Sequence, residues 1–401
     1  MTGTELNFPF PDPQQAGPAK ELRAADGQFL RPVILGNSAR ALLVCGYDEI
    51  RDLLTGTDFS RARAAAHGMT SRTPESLALN GADPPEHARR RGTVAAAFTR
   101  ARAEKERAWI RQTADELLSA MAGGGPPADL IAAFSLPLSV AVICRVMGVP
   151  ADDFDVFAPL FDVMMSTQGH APAEVEAAHR GIFDYFWRLY DRALAAGPAR
   201  GGVDGVDGVL AALVTAAERD GTVTRTEAVH IAYGLLVAGY ETTSKQIATT
   251  VLLLLSDRSR WERVRRDPAA LGPAIEETLR WTSLLATGGV PHVALGDAVL
   301  GQEQVQAGQI LIPVFAAANR DPRVFADPDR LSPDRAGAAH VAFGHGRHLC
   351  LGAALARVEL AEALGVLLRD LPGLELAVPE RELRWREGAF IRGLTTLPVR
   401  W

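Results

Sequence analysis

Cysteine is scarce in this chain, with only Cys45, Cys144 and Cys350 among 401 residues. The three lie far apart in the sequence, so they fit neither the close spacing of a zinc site nor a disulfide framework. A chain this poor in cysteine is typical of a reducing compartment. We therefore expect a cytoplasmic protein, in which any function of a cysteine depends on that residue's own surroundings.

Long apolar runs are absent as well. The longest stretch of branched aliphatic residues is Val251 to Leu255, whereas a transmembrane helix needs about 20 apolar residues. The N-terminal residues contain several prolines between Pro9 and Pro18 but no basic start and no apolar segment, so no signal peptide is expected. These absences argue against a membrane protein.

Lysine is almost missing, being present only as Lys20, Lys105 and Lys245, and the formal net charge at pH 7 is −6. A chain with an excess of acidic residues does not suit general nucleic-acid binding. The hydrophobic share of 47% is nevertheless ample for a substantial core. The composition thus indicates a globular protein and leaves its function to the motifs.

The periodicity of apolar residues predicts a helix-rich chain. Residues recur at three- and four-residue spacing over 108–121, 183–195 and 228–255. The last of these is long and apolar enough to be a core helix, and Thr224 with Glu227 forms a capping box before it. Short strand-like segments lie at 42–45, 290–300, 310–313 and 394–399. We expect a mainly α fold with small β-sheets and a single domain over residues 1–401.

The most informative segment surrounds the last cysteine and reads FGHGRHLCLG over residues 343–352. A predicted helix (352–368) follows it, so the helix dipole and the first N–H groups favour a thiolate at Cys350. Gly344 allows backbone angles that side chains forbid, and Gly352 lacks a Cβ where a flat group could lie close. Phe343 can shield the sulfur, and His348 can donate to an anion. The alternative is a buried free cysteine beside a helix.

The middle of the long helix carries Gly239, Glu241 and Thr242. A glycine there costs about 1 kcal/mol relative to alanine, and Thr242 can bond back to the carbonyl of Ala238, which bends a helix. An alcohol and an acid at a local opening suit the activation of dioxygen, which needs two protons. Thr242 would hold the oxygen and a water, and Glu241 would relay protons from solvent. The same residues could instead form a kink with a neutralised buried acid.

Together these motifs resemble those of the cytochrome P-450 superfamily, the haem-thiolate monooxygenases, over essentially the whole chain. The resemblance implies a single triangular haem domain in which the long helix crosses the distal face of the haem. The cofactor would be haem b (iron protoporphyrin IX) with Cys350 as the axial iron ligand, whose electron donation favours O–O cleavage. The intact Glu241–Thr242 pair argues against a peroxide-dependent enzyme.

The resemblance also assigns neighbours of the haem. Its propionates would be met by His87 and Arg91, four residues apart on a helix, by His348, and by His292, which replaces an arginine usual in the family. Because histidine titrates near neutrality, haem affinity or potential is expected to depend on pH. Further contacts with the macrocycle would come from the cysteine loop: Phe343, Gly344, Leu351 and Gly352.

A structural trio is implied by Glu277 and Arg280, three apart on a predicted helix, with Arg335 as the third member. In the family such a trio locks the segment before the cysteine and carries no chemistry. The Glu277–Arg280 pair alone is a weak signal, because exposed pairs of this kind are common.

The distal pocket would be covered by residues 62–81 and lined mainly by apolar side chains. A pocket of this kind takes a largely apolar ligand with a few hydrogen-bonding groups. Each lining residue could equally be ordinary core. The wall residues that the resemblance implies are Leu235, Ala238, Leu284, Leu285, Thr287, Val290, Phe390 and Ile391.

The resemblance implies oxidation of a natural product with dioxygen and two electrons, with hydroxylation as the default outcome. No flavin or iron–sulfur segment is visible, so the electrons would come from NAD(P)H through a separate ferredoxin reductase and ferredoxin. A basic face would steer the ferredoxin. Its candidate residues, which could also be scattered solubilising charges, are Arg89, Arg90, Arg100, Arg102, Arg347 and Arg357.

Several alternatives stay open at this point. The outcome could be epoxidation or oxidative C–C or C–N coupling, since it depends on how the substrate lies over the iron. A non-catalytic haem-thiolate sensor of a ligand or gas would need no Glu241–Thr242 pair. The chain could also be recruited to a synthetase or carrier domain, which would then present the substrate.

Overall fold

The computed structural model describes residues 6–10, 15–22, 28–66, 78–166, 169–197, 208–282, 284–285, 288–335, 337 and 339–401. Their α-helices are α1 (Tyr47–Thr55), α2 (Arg61–Ala66), α3 (Glu86–Val94), α4 (Arg100–Gly123), α5 (Leu136–Met147), α6 (Phe154–Met165), α7 (Pro172–Ala196), α8 (Val209–Glu218), α9 (Arg225–Leu255), α10 (Arg258–Arg266), α11 (Leu271–Trp281), α12 (Phe315–Ala318) and α13 (Ala353–Asp370). The helices predicted at 108–121, 183–195, 228–255 and 352–368 are confirmed as parts of α4, α7, α9 and α13.

Helix α9 forms the centre of the fold. It begins with the predicted capping box, in which Thr224 Oγ1 accepts from the Glu227 N–H (3.1 Å) and a Glu227 carboxylate oxygen accepts from the Thr224 N–H (2.8 Å). Most of its residues are buried, and it packs against α5, α7, α8, α10, α11 and α13. The prediction of a core helix is therefore confirmed.

The described strands form three small sheets. The strands are β1 (Leu6–Phe8), β2 (Leu30–Leu35), β3 (Arg40–Val44), β4 (Phe59–Ser60), β5 (Ala128–Asp129), β6 (His292–Ala294), β7 (Ala298–Leu300), β8 (Glu303–Val305), β9 (Ile310–Pro313), β10 (Glu375–Leu376) and β11 (Pro398–Arg400). The six-stranded sheet has the order β1-β2-β3-β9-β6-β4, the three-stranded sheet has the order β10-β11-β5, and β7 pairs with β8.

Two predicted strands differ from the structure. The segment 290–300 is divided between β6 and β7, which belong to different sheets. The segment 394–399 is a strand only from Pro398, because Leu394 and Thr395 pair instead with Trp385 and Arg384. That pairing makes residues 385–394 a hairpin, called the C-terminal hairpin below.

Among the described helices, none is by itself long and apolar enough to cross a membrane. The bent pair Ile131–Met147 and Ala151–Met165 passes that test of length and composition only when its two helices are taken together.

Candidate active site

The cysteine loop is held by its own backbone. The Gly344 N–H donates to the Val341 carbonyl (2.9 Å), and the Cys350 N–H donates to the Phe343 carbonyl (2.8 Å). Gly344 and Gly346 have φ angles of +75° and +66°, which L side chains rarely adopt. The loop therefore requires both glycines, and it delivers Cys350 to the start of α13.

The environment of Cys350 differs from that of the two buried cysteines. The residue is accessible to solvent, although enough protein surrounds its sulfur that burial raises the pKa of the thiol. The Gly352 N–H and the guanidinium groups of Arg91 and Arg357 act in the opposite direction and favour the thiolate. Arg357 also lies over the Phe343 ring, 4.7 Å from its centroid. Cys350 is thus a reachable thiol with cations beside it.

The predicted structural trio is assembled on α11 and in the segment before the cysteine loop. Buried Glu277 accepts from Nε and Nη2 of Arg280, both at 2.8 Å. It also accepts from the Ser332 N–H (2.7 Å) and from Arg335 Nε (3.2 Å). Arg280 itself donates to the carbonyls of Asn319 and Pro328 (2.7 and 3.0 Å). The Glu277 carboxylate therefore joins α11 to the segment that leads into the cysteine loop.

Three histidines from separate segments lie close together beside this loop. The His87 and His348 rings are 4.0 Å apart between centroids. Among the residues that the structure describes, His87 Nε2 and His348 Nδ1 are buried and have no hydrogen-bond partner. Burial and the nearby arginines lower the pKa of His87 to about 4 and lower the pKa values of His292 and His348 well below their usual range. Unpartnered nitrogens among arginines suit an anionic ligand.

A buried arginine contacts His292. The His292 Nε2 accepts from Arg61 Nε (3.1 Å), and Arg61 also donates to the Asn80 carbonyl (3.3 Å). Burial and the Arg61 charge lower the pKa of His292. Sequence reasoning missed Arg61, whose only signal was an arginine at the start of a short helix. It is buried, with 6% of its surface exposed.

The other predicted propionate residue, Arg91, lies on α3 as expected. Its Nη2 donates to the Leu349 carbonyl (2.8 Å), directly before the cysteine. Arg347 donates to the carbonyls of Thr55 and Gly56 (2.6 and 3.1 Å), which ties the loop to the end of α1. Both arginines therefore fix the cysteine loop against neighbouring helices.

The alcohol of the acid–alcohol pair makes the predicted contact. Thr242 Oγ1 donates to the Ala238 carbonyl (2.6 Å), and Ala238 is exposed although it lies in the middle of the buried helix α9. Gly239 lies where α5 packs closely on α9. An added Cβ would overlap the Ile143 side chain of α5, so the glycine allows this close approach.

The acid of the pair is held by an arginine of the C-terminal hairpin. Glu241 is buried, and one of its carboxylate oxygens accepts from Arg386 Nη1 (3.1 Å). Arg386 Nη2 donates to Asp162 of α6 (3.2 Å), whose side chain is largely exposed. One turn along α9, Lys245 Nζ donates to the Leu394 carbonyl (3.0 Å). Sequence reasoning did not identify Arg386.

The predicted pocket walls are partly brought together. Leu285 and Ile391 form an antiparallel bridge, and the Arg392 N–H donates to the Leu284 carbonyl (2.7 Å). The Phe390 N–H donates to the Met165 carbonyl at the end of α6 (3.0 Å). Partly buried residues in this set are Leu235, Leu284, Leu285, Val290 and Phe390. Thr287 and residues 67–77 of the predicted cover lie outside the described residues.

Several of the arginines predicted to form a docking face are paired with carboxylates. Arg89 and Arg90 pair with Glu227 at the start of α9 (2.6 and 2.8 Å). Arg357 pairs with Glu276 (2.6 Å). Near the cysteine, Leu349 is an exposed apolar residue at 45%, and Arg100 at the start of α4 is exposed.

The described residues fit a haem. The unpartnered histidine nitrogens and Arg61 offer donors to carboxylates, and Cys350 offers an accessible sulfur. An added Cβ on Gly352 would meet no atom of the described residues within 4 Å, which leaves space on this side of the loop for a flat group. This donor set matches a macrocycle that carries two carboxylates and an iron with a free axial position.

Comparison with known proteins gives the same assignment. The Cytochrome P-450 family model matches residues 138–375. A mycinamicin IV hydroxylase/epoxidase of Micromonospora griseorubida is 39% identical over 363 residues, which are 90% of this chain and 89% of that protein. A nocardicin C N-oxygenase of Nocardia uniformis subsp. tsuyamanensis is 38% identical over the whole of both chains. A crystal structure of a cytochrome P-450 with biaryl coupling reactivity has a TM-score of 0.91 at 31% identity, covering 99% of this chain and all of that one.

The two relatives compared by sequence come from bacteria and are named for a hydroxylation or epoxidation and for an N-oxygenation. The similarity to the nocardicin C N-oxygenase and to the biaryl-coupling enzyme covers essentially the whole chain, and so includes the cysteine loop and the central helix. With the family model spanning more than half of the sequence, the chain belongs to the cytochrome P-450 family of haem-thiolate monooxygenases.

Proposed function

We propose that this monooxygenase hydroxylates a largely apolar natural product, and that residues 1–401 form one haem domain. The observation that carries the proposal is the intact acid–alcohol pair on α9, with Thr242 bonded back to Ala238 and Glu241 held beside it. A protein that only bound haem would have no need for a proton relay. Relatives named for the oxidation of mycinamicin IV and nocardicin C support the substrate class.

Two groups of residues would hold the haem. Cys350 would provide the sulfur ligand of its iron, and Phe343, Gly344, Leu351 and Gly352 would lie beside the macrocycle. Haem b, when bound, supplies the iron at which dioxygen is reduced and one oxygen atom is transferred to the substrate. The propionates would meet a cationic and histidine-rich wall made of His87, His348, Arg91 and Arg61, with His292 positioning Arg61.

Thr242 and Glu241 would manage the protons. The Thr242 hydroxyl donates its hydrogen bond to the Ala238 carbonyl, so the lone pairs of its oxygen remain available to accept a hydrogen bond from a water or a protonated oxygen. Glu241 is the nearest carboxylate along the helix, and it reaches the exposed Asp162 through Arg386. The Arg386 guanidinium does not release a proton, so Glu241 would take its protons from water and pass them toward Thr242.

Arg61 is expected to help retain the haem. Replacing Arg61 by methionine is expected to accelerate haem loss to apomyoglobin at least about tenfold, because a hydrogen bond to a charged group contributes about 1.5–3 kcal/mol. Arg63 on the same helix is exposed and serves as the matched control. Equal haem-loss rates for the two variants would remove Arg61 from the propionate site.

Electrons would arrive from NAD(P)H through a ferredoxin reductase and an acidic ferredoxin. The exposed Leu349 beside the cysteine would form the apolar centre of a docking face, and the exposed Arg100 at the start of α4 would belong to its cationic rim. Arg89 and Arg90 would contribute less, since they share the Glu227 carboxylate, which offsets one of their two charges.

A charge reversal tests this docking face. Arg100→Glu is expected to lower the second-order rate of reduction by a ferredoxin several-fold at low salt, and the difference should shrink as ionic strength rises. Arg180→Glu on α7 is the control, because Arg180 is also highly exposed but lies in another helix. If both variants are reduced like the wild type at low salt, this face does not dock the ferredoxin.

Oxidative coupling is a second candidate outcome. It is favoured by the structural similarity to an enzyme with biaryl coupling reactivity. Screening aromatic and aliphatic natural products by the spin-state shift of the ferric haem, followed by product analysis in a reconstituted system, separates the two. Incorporation of one atom of labelled dioxygen into the product supports hydroxylation, whereas a dimeric or cyclised product without label supports coupling.

A further inference from the structure

The C-terminal hairpin contacts three parts of the molecule: α6, α9 and the predicted substrate pocket. It contacts α6 where Ser166 bridges Ala389 and where the Phe390 N–H donates to Met165. It contacts α9 through Lys245, which donates to the Leu394 carbonyl. It also carries two of the predicted pocket residues, Phe390 and Ile391. The hairpin is therefore in a position to link the substrate pocket, α6 and the acid of α9.

Arg386 is the residue of this hairpin that touches the acid. Its backbone is fixed, because the Arg386 N–H donates to the Gly393 carbonyl across the hairpin (2.8 Å). Its guanidinium bridges two carboxylates, the buried Glu241 (3.1 Å) and the exposed Asp162 (3.2 Å). A guanidinium can engage two carboxylates at once because it has five donors in a planar fork.

The two ends of this bridge are in different environments. The Glu241 side chain is 6% exposed, whereas that of Asp162 is 64% exposed. A charge pair with a buried carboxylate is screened less than one with an exposed carboxylate. The contact with Glu241 therefore constrains the Arg386 guanidinium more strongly than the contact with Asp162, which has the smaller influence on its position.

We propose that Arg386 is a positioning residue for oxygen activation: it holds the Glu241 carboxylate in place, and Asp162 makes that hold depend on the position of α6. The inference rests on the proposed role of Glu241 as a proton relay. Without Arg386 the carboxylate would lose this contact, and its position relative to Thr242 and Lys245 would change. A shift of α6 would draw Arg386 with it, since Asp162 and Met165 both join α6 to the hairpin.

The test uses the holoenzyme with a surrogate [2Fe–2S] ferredoxin and its NADPH-dependent reductase, without added substrate. NADPH oxidation and hydrogen peroxide release are followed in H₂O and in D₂O. Arg386→Gln is expected to lower NADPH oxidation about tenfold and to enlarge the solvent isotope effect, because proton delivery becomes slower. Arg386→Lys should recover most of the rate, and Asp162→Asn should have a smaller effect of the same sign.

The matched control is Arg384→Gln, because Arg384 is an exposed arginine of the same C-terminal region whose side chain donates to the Arg381 carbonyl (3.4 Å). It should behave like the wild type. Haem content and the thermal unfolding midpoint, measured for every variant, separate a slowed proton step from a damaged fold. An unchanged isotope effect in folded, haem-replete Arg386→Gln overturns the proposal.

A double-mutant cycle separates this inference from the proposed function. If Arg386 acts through Glu241, Arg386→Gln should have no further effect in a Glu241→Gln background. Equal losses in both backgrounds would show that Arg386 acts elsewhere. A Glu241→Gln enzyme with the rate and isotope effect of the wild type would instead contradict the proton relay itself, and the role of Arg386 with it.

Discussion

Replacing Glu277 by alanine is expected to give protein that cannot keep haem. The carboxylate accepts from Arg280, from Arg335 and from the Ser332 N–H, and it is buried. Its removal leaves the Arg280 charge unpaired in the interior, where only 2% of that residue is exposed. Breaking a buried pair in this way costs about 3–5 kcal/mol. The same bonds fix the segment that enters the cysteine loop, so loss of stability and loss of haem should coincide.

The measurement is the ratio of haem to protein after purification, together with the denaturant midpoint. Glu104→Ala is the matched control, because Glu104 also pairs with an arginine but its side chain is 43% exposed. An exposed pair contributes about 1 kcal/mol or less, so this variant should retain its haem. A stable, haem-replete Glu277→Ala protein would show that the trio does not secure the loop.

Replacing Glu241 by glutamine is expected to slow NADPH oxidation about 100-fold, within the range by which a positioned acid or base accelerates proton transfer. Glutamine keeps the size of the side chain and a hydrogen-bond acceptor for Arg386, but it cannot carry the proton. The haem spectrum and the first reduction by ferredoxin should be unchanged, because neither needs the carboxylate. Stopped-flow reduction and steady-state turnover of the same preparation check the two expectations.

Thr242→Ala serves as the companion variant. It removes the hydroxyl while leaving Glu241 and Arg386 in contact. NADPH should therefore still be oxidised, but a larger share of its electrons should reduce dioxygen to hydrogen peroxide. A Glu241→Gln enzyme that turns over at the wild-type rate, with the same peroxide yield, would exclude this carboxylate from proton delivery.

Local signals in the sequence were sufficient for the main elements. The capping box at Thr224 and the back-bond of Thr242 follow from residues three or four positions apart, and both are present. The Glu277–Arg280 pair is local in the same way. Arg335 joins them from a distant segment, as the family resemblance implied.

Contacts between distant segments were not accessible in this way. Arg61 meets His292 from 231 positions away, and Arg386 meets Glu241 from 145 positions away. No periodicity or spacing encodes such pairs, and only the packed fold shows them. Gly239 illustrates the same limit, because the side chain that requires a glycine there, Ile143, belongs to another helix.

Ligation of the haem iron by Cys350 is tested by the absorption spectrum of the dithionite-reduced, carbon-monoxide-bound protein, recorded for the wild type and for Cys350→His. We expect a strongly red-shifted Soret band in the wild type that is lost in the variant, because only a thiolate from Cys350 would produce it. Absence of that band in wild-type protein supplied with haem, or its persistence in Cys350→His, would contradict ligation by Cys350.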